Sequence, residues 1–156
     1  MEIKDYTEQY FEDIFECVHK TIEEIYPKYY PRNVVDFFHN YHSKENMGEQ
    51  LKNEFTLVLF ENNKLIGTGT LLENEIKRFY ILPKYQGKGY GKILLEELEK
   101  NIEKSKYDNF TLDSSLGAVE FYLKNGYMYK DYKTKDLSDE NYLCYLEMDK
   151  NVNCDD

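Results

Sequence analysis

Tryptophan is absent from this chain of 156 residues, and cysteine and proline occur only three times each. The three cysteines, Cys17, Cys144 and Cys154, are odd in number and widely separated, with no pair at metal-ligand or redox spacing. That excludes a disulfide framework and points to reduced thiols in a cytoplasm. Long apolar runs are missing too: nothing approaches the roughly 20 residues of a membrane span. The opening MEIKDYTEQYFEDIFE alternates acids with apolar residues and so does not read as a secretory signal. Cations are scarce, with 20 Lys and Arg against 30 Asp and Glu and a net charge of -10. Such a balance argues against nucleic acid or an anionic membrane as partner, because phosphates reward lysine and arginine. A small cationic molecule suits it better. Histidine is sparse as well; His39 and His42 lie three apart, but no HExxH pattern or third ligand accompanies them, so no metal is expected.

What the chain has is aromatic mass, 16 tyrosines and 9 phenylalanines, enough for one sizeable core. The length fits one domain, expected over residues 1–150 with 151–156 as a frayed tail, in a monomer or homodimer. MEIKDY reads as a short strand. Residues 8–26 carry Tyr10, Phe11, Ile14, Phe15, Val18, Ile22 and Ile25 at helical spacing, up to the prolines of YPKYYPR. Shorter helices are expected around 34–42 and 44–52. Three consecutive antiparallel strands follow at 54–60, 64–72 and 75–82, separated by the turn signals ENN and ENE. A helix is expected over 90–104, a strand in NFTLDSS, a helix over 116–125 closed by Gly126, and two last strands at 127–133 and 141–148 joined by the polar KDLSDEN. The order predicts a mixed α+β fold around one sheet.

Gly87, Gly89 and Gly91 stand at the start of a strong helix former, YGKILLEELEK, although glycine disfavours a helix interior by about 1 kcal/mol. A helix N-terminus offers unpaired N–H groups and partial positive charge, and glycines let a phosphate approach the backbone. Lys77, Arg78, Lys84, Lys88 and Lys92 surround the motif, and no acidic residue falls between 77 and 92. A polyanion site is the functional reading, a tight strand-to-helix turn the plain alternative. The P-loop spacing fails, since Lys92 is followed by Ile93, and the dinucleotide fingerprint fails because position 92 is not glycine.

Gln86-Gly87-Lys88-Gly89-Tyr90-Gly91 after a strand ending FYILP resembles the acyl-CoA signature of the GCN5-related N-acetyltransferases. VLFENNKLIGTGTL and AVEFYLKNGY resemble other elements of that family in the right order, covering residues 55–149. The resemblance implies a three-layer fold with a mostly antiparallel sheet of six to seven strands flanked by helices. It also implies transfer of an acetyl group from acetyl-CoA to a primary amine by direct attack in a ternary complex. Residues Gln86, Gly87, Lys88, Gly89, Tyr90, Gly91 and Lys92 are then expected at the pyrophosphate, and the strand edge at Phe79, Ile81 and Leu82 along the pantetheine arm. An N–H near Ile81 is expected to face the reaction's oxyanion. Tyr122 matches the family's tyrosine general acid, against the alternative of a plain aromatic. Glu75 is the candidate general base, against the alternative of a solvated turn carboxylate. The family's pantetheine-contacting asparagine is missing from DSSLGA; Ser115 either substitutes for it or caps the following helix. The aromatic run from Tyr26 to His42 is a candidate acceptor wall, against simple helix packing. Two rival functions remain: a catalytically silent acyl-CoA sensor, and a protein N-terminal or lysine acetyltransferase.

Overall fold

The computed structural model describes residues 1–137 and 141–152. Cys154 and most of the expected tail lie outside the described residues, as does the middle of KDLSDEN. The elements run β1 (Glu2–Asp5), α1 (Phe11–Ile25), α2 (Arg32–Tyr41), α3 (Lys44–Leu51), β2 (Phe55–Glu61), β3 (Lys64–Leu72), β4 (Glu75–Ile81), α4 (Tyr90–Glu99), β5 (Asn109–Ser114), α5 (Val119–Lys124), β6 (Met128–Asp136) and β7 (Tyr142–Asn151). They build one seven-stranded sheet in the order β1-β2-β3-β4-β5-β7-β6. Every neighbouring pair is antiparallel except β4 with β5. The mixed, mostly antiparallel fold expected from the sequence is therefore present.

The last helix turn expected before residue 104 is not formed: α4 stops at Glu99. The Asn101 side chain turns back to donate to the Glu97 carbonyl at 2.8 Å, and its own N–H bonds Leu98 rather than continuing the α-helical ladder. Ile102 stays buried beyond the helix end. β7 runs to Asn151, three residues past its expected limit, and the Val152 N–H still bonds the Asp108 carbonyl at 2.8 Å.

α1 packs over β3 and β4, and α4 packs over β2, β3 and β4. A Cβ built on Gly69 would meet both Leu98 of α4 and Phe79, while Tyr80, the next residue along β4, meets Tyr26 and His42 beside α1 and α2, so the helices lie on opposite faces and give three layers. α5 sits on the α4 side, since Phe121 is the nearest neighbour of a Cβ built on Gly91. The core includes Ile14, Val18 and Ile22 of α1 and Leu94, Leu95 and Leu98 of α4, all essentially buried against Val58, Leu59 and Ile66 of the sheet. Tyr127 anchors the C-terminal hairpin: its hydroxyl donates to Glu99 at 2.9 Å, and Lys150 meets the same carboxylate at 3.1 Å. Tyr30 ties the N-terminal helices to the far half of the sheet. Its hydroxyl donates to the Cys144 carbonyl at 2.8 Å and accepts the Leu116 N–H at 2.9 Å.

Candidate active site

β4 and β5 pair only at Glu75–Thr111 and Ile76–Leu112 and then diverge, so the edge of β4 beyond residue 76 has no strand beside it. Between 77 and 80 the register with β3 slips by one residue, and Arg78 there takes a φ of +43°, a left-handed conformation for a residue with a side chain. Such a bulge bends a strand and re-aims its side chains. It carries Lys77 and Arg78 toward α3, where both meet Glu54 at 3.3 Å and Arg78 also donates to Gln50. These two cations, read from the sequence as part of the island around the glycines, are instead partners of a buried carboxylate. The island reduces to Lys84, Lys88 and Lys92.

After the bulge the strand alternates regularly. The Leu82 N–H donates to the Ile66 carbonyl at 2.8 Å, so Ile81, one residue earlier, turns its own peptide groups away from β3 toward the gap. The Ile81 carbonyl is held there by the Gln86 side-chain amide at 2.8 Å. Gln86 thus clasps the glycine loop to the open strand edge. Phe79 and Tyr80 point to opposite sides. Phe79 stacks on Phe121 with centroids 5.7 Å apart, on the α4 and α5 side. Tyr80 faces α1 and α2, where it accepts from the Tyr26 hydroxyl at 3.2 Å and meets His42 Nε2 at 3.1 Å.

The three glycines have separate reasons. Gly87 and Gly89 have φ of +73° and +90°, with open space where a Cβ would stand. Gly89 is the N-cap of α4, and the loop's amides are left free of side-chain caps. Gly91 is helical, but a Cβ there would lie 3.0 Å from the Phe121 ring. Conformation explains the first two and close packing the third.

The gap widens into a cleft of about 730 Å³ that reaches both faces of the sheet. It is lined by Glu75, Phe79, Ile81, Gln86, Gly87, Gly89, Gly91, Lys92, Ser115 and Tyr122, so most of the residues singled out from sequence meet in one place. Three do not line it. Leu82 is buried and its N–H is spent on β3; Lys88 lies over the Tyr85 ring at 5.8 Å, and Tyr90 packs edge-on against Tyr85. Of the two readings of Ser115, capping lacks its bond: no side-chain cap is made, and the residue lines the cleft close enough to Tyr26 to lower that phenol's pKa against its burial. The aromatic run supplies Tyr26, Phe37, Phe38, Tyr41 and His42 to the lining, while His39 faces α1.

Tyr122 is buried among Phe79, Phe121 and Tyr127, and its hydroxyl has no hydrogen bond to a described residue. Burial, with a smaller contribution from Tyr26, pushes its phenol well above the ordinary value of 10. Glu75 is half-buried at the vertex where β4 and β5 part. Desolvation pushes its carboxyl up; Lys77 opposes that, and Asp113, Glu54 and Glu147 add to it. His42 is buried, its Nδ1 without a hydrogen-bond partner among the described residues, and desolvation, then Arg78, pushes its imidazole down to about 3, so it is neutral. Tyr80, Phe121 and Asp113 were missed by sequence reasoning. Tyr80 was legible in principle, because strand alternation sets it opposite Phe79. Asp113 needed the β4–β5 pairing to place it.

The Acetyltransferase (GNAT) domain family profile matches residues 5–152, and the chain belongs to that family. An uncharacterized acetyltransferase of Streptococcus pyogenes from the arcA 3′ region is 32% identical over 90 residues, which cover 54% of this chain. The chain spans about 60% of the length of the curated relatives it matches. Among solved structures, a GCN5-related N-acetyltransferase from Rhodopseudomonas palustris superposes with a TM-score of 0.88 at 22% identity, covering 97% of this chain and 95% of its own. The PaiA N-acetyltransferase of Thermoplasma acidophilum, in complex with coenzyme A, gives 0.76 at 24% identity, covering 97% and 98%. The ribosomal-protein-S18-alanine N-acetyltransferase of Escherichia coli gives 0.69 at 16% identity, covering 97% and 93%. At these identities the likeness shows the fold. No helix among the described residues is long and apolar enough to cross a membrane, and they hold no cluster of three metal-ligating side chains.

Proposed function

We propose that the protein transfers the acetyl group of acetyl-CoA to a primary amine, of a small cationic molecule, in a ternary complex. The observation that carries this reading is the unpaired edge of β4 at Ile81, running into the Gly87–Gly91 loop with Tyr122 beside it. An extended arm can pair with such an edge as an added strand would. The loop amides at the start of α4 suit a pyrophosphate, and the open space at Gly87 and Gly89 fits its close approach.

The amine nitrogen attacks the thioester carbonyl, forming the C–N bond. The Ile81 N–H is the candidate donor to the oxyanion. Collapse breaks the C–S bond; the Tyr122 phenol gives its proton to the leaving thiolate, and the nitrogen, which carries one proton too many after attack, returns one to the phenolate through water. An alkyl amine of pKa about 10.4 is mostly protonated at neutral pH, so it must shed a proton before attack. Glu75, with its carboxyl raised by burial, is the candidate acceptor for that proton, directly or through water. The cationic acceptor is supported by the chain's net charge of -10 and by Glu75 and Asp113, both in the cleft lining.

Thermal denaturation with acetyl-CoA, beside ATP and NAD, tests the cofactor. At 100 times its dissociation constant a ligand stabilises by about 2.7 kcal/mol, which raises the midpoint by about 5–10 °C for a domain of this size. A rise with acetyl-CoA alone, followed by release of free thiol with one of a panel of amines, is the expected result. An equal rise with ATP refutes the site assignment, and binding without turnover on any amine, protein N-terminus or lysine peptide would establish the sensor instead.

A further inference from the structure

On the α1–α2 interface, behind the cleft wall, three hydrogen bonds meet on two imidazoles. His19 Nε2 lies 2.7 Å from the His42 carbonyl, His19 Nδ1 lies 2.6 Å from His39 Nδ1, and His39 Nε2 lies 2.8 Å from Glu23 Oε2. The ring planes are 12° from parallel with centroids 4.9 Å apart, a separation that sets the two rings edge to edge through their Nδ1 atoms. Counting protons fixes their charge. A carbonyl only accepts, so His19 Nε2 carries hydrogen. Glu23 is gripped by Arg32 at 2.7 and 3.1 Å, which holds its carboxyl down at about 2, so it too only accepts and His39 Nε2 carries hydrogen. The short Nδ1–Nδ1 contact needs one more. Three protons on two rings make one positive charge, and neither alternative fits: with two protons a lone pair faces the Glu23 carboxylate or the other ring's lone pair, and with four, two N–H groups collide at 2.6 Å.

We propose that His19 and His39 share this extra proton as a positioning pair, whose hold on the His42 carbonyl keeps the His42 ring against Tyr80 on the acceptor side of the cleft. The inference rests on the acetyltransferase reading for its consequence, though not for its chemistry. The chain of contacts runs from Glu23 through His39 and His19 to the end of α2, then from the His42 ring to Tyr80 and Tyr26. The other groups facing the pair are few. Phe15 lies against His19 with centroids 4.1 Å apart and carries Lys44 over its ring, Asp36 shares Arg32 with Glu23, and Lys77 and Arg78 act on His42 from β4. Burial of His19 favours losing the proton, and its bond to the His42 carbonyl favours keeping it. Two imidazoles that share one proton gain and lose protons as a unit, in two separate steps. The positive charge makes the His19 Nε2–H bond to the His42 carbonyl charge-assisted; losing the shared proton as pH rises weakens that bond, and gaining another as pH falls sets two N–H groups against each other at 2.6 Å.

Nitrogen-15 resonances of the three histidine rings, followed across pH in the whole protein, test this without any substrate. Single glutamine substitutions at 19, 39 and 42 assign the signals. Expected are one ring protonated at both nitrogens beside one neutral ring, two separated midpoints, and His42 signals that shift at the upper midpoint and no longer do so in His39→Gln. Two rings titrating alike near about 6.5, the value of a free imidazole, or His42 signals indifferent to both steps, overturns the proposal. With an amine that the screen above shows to be acetylated, His39→Gln raises the amine KM about fivefold while kcat stays within about twofold; an unchanged KM at the pH of the singly charged state also overturns it. A screen that finds no acceptor sinks the transferase reading, while the ring signals still decide whether the shared proton holds His42.

Discussion

Replacing Tyr122 by phenylalanine separates catalysis from packing more cleanly than any other change in the cleft. The ring lies among Phe79, Phe121 and Tyr127 at centroid distances of 6.2, 5.1 and 5.7 Å, contacts that phenylalanine keeps. The hydroxyl has no bond to a described residue, so its loss leaves no buried partner stranded, and stability should change by no more than about 0.5 kcal/mol, a midpoint shift of about 2 °C or less. Acetyl-CoA should raise the melting midpoint as it does in the native protein. Turnover should not survive: removing a positioned general acid costs about 10²- to 10⁴-fold, or about 3–5 kcal/mol of barrier. The phenol is pushed up by burial, so it stays protonated through any practical assay range, and its ionisation should produce no fall in kcat below about pH 10. The assay is thiol release at saturating acetyl-CoA. A variant turning over within threefold of the native rate would refute the proton-donor role, and lost turnover with a lost acetyl-CoA shift would show that the hydroxyl serves binding.

Glu75 must be ionised to accept a proton, and its raised pKa places the acid limb of kcat/KM above the ordinary carboxylate value of 4.5. Lys77→Ala removes the cation that opposes this rise, so the limb should move to higher pH; Glu75→Gln should abolish it, and a limb unmoved by either change assigns the base elsewhere. Gly89→Ala meets no atom within 4 Å and suffers only its φ of +90°, which should destabilise the protein by about 1–2 kcal/mol, seen as a midpoint lowered by about 2–8 °C. Arg78→Leu leaves Glu54, whose side chain is 6% exposed, with Lys77 as its one ion-pair partner among the described residues. Denaturant titration should show a loss of about 3 kcal/mol, largely recovered when Glu54→Leu is added; a single variant as stable as the native protein would show that Lys77 suffices.

The proposed cofactor half of the site was legible because its residues are local in sequence. Residues 86–91 form one loop and 118–127 one helix with its exit; spacing brought the glycines into view, and the family resemblance brought Gln86 and Tyr122. The strands were legible from alternation and turn residues, and their bounds differ from expectation by only a few positions. Three things were not. The bulge at Arg78 depends on pairing with β3, and without it Lys77 and Arg78 looked like phosphate ligands. The helix stop at Glu99 depends on a side chain, Asn101, folding back on the helix. The proton count on His19 and His39 depends on two residues twenty apart in the chain meeting at 2.6 Å, while sequence spacing suggested the pairing of His39 with His42.

This difference follows the geometry of β4. Phe79 and Tyr80 are neighbours in sequence, yet one stacks on Phe121 below the sheet and the other bonds Tyr26 and His42 above it. The strand is thus a partition, with the family's motifs on one side. On the other side stand Tyr26, Phe37, Phe38, Tyr41 and His42, residues without motif spacing, held in place by Tyr30 and the histidine pair. A phosphate loop needs backbone in one conformation, which constrains glycine positions and so becomes readable. An acceptor wall needs only shape and polarity, which many arrangements of aromatic side chains can supply. The proposed cofactor's chemistry is therefore written in spacing, and the proposed acceptor's in how α1 and α2 pack.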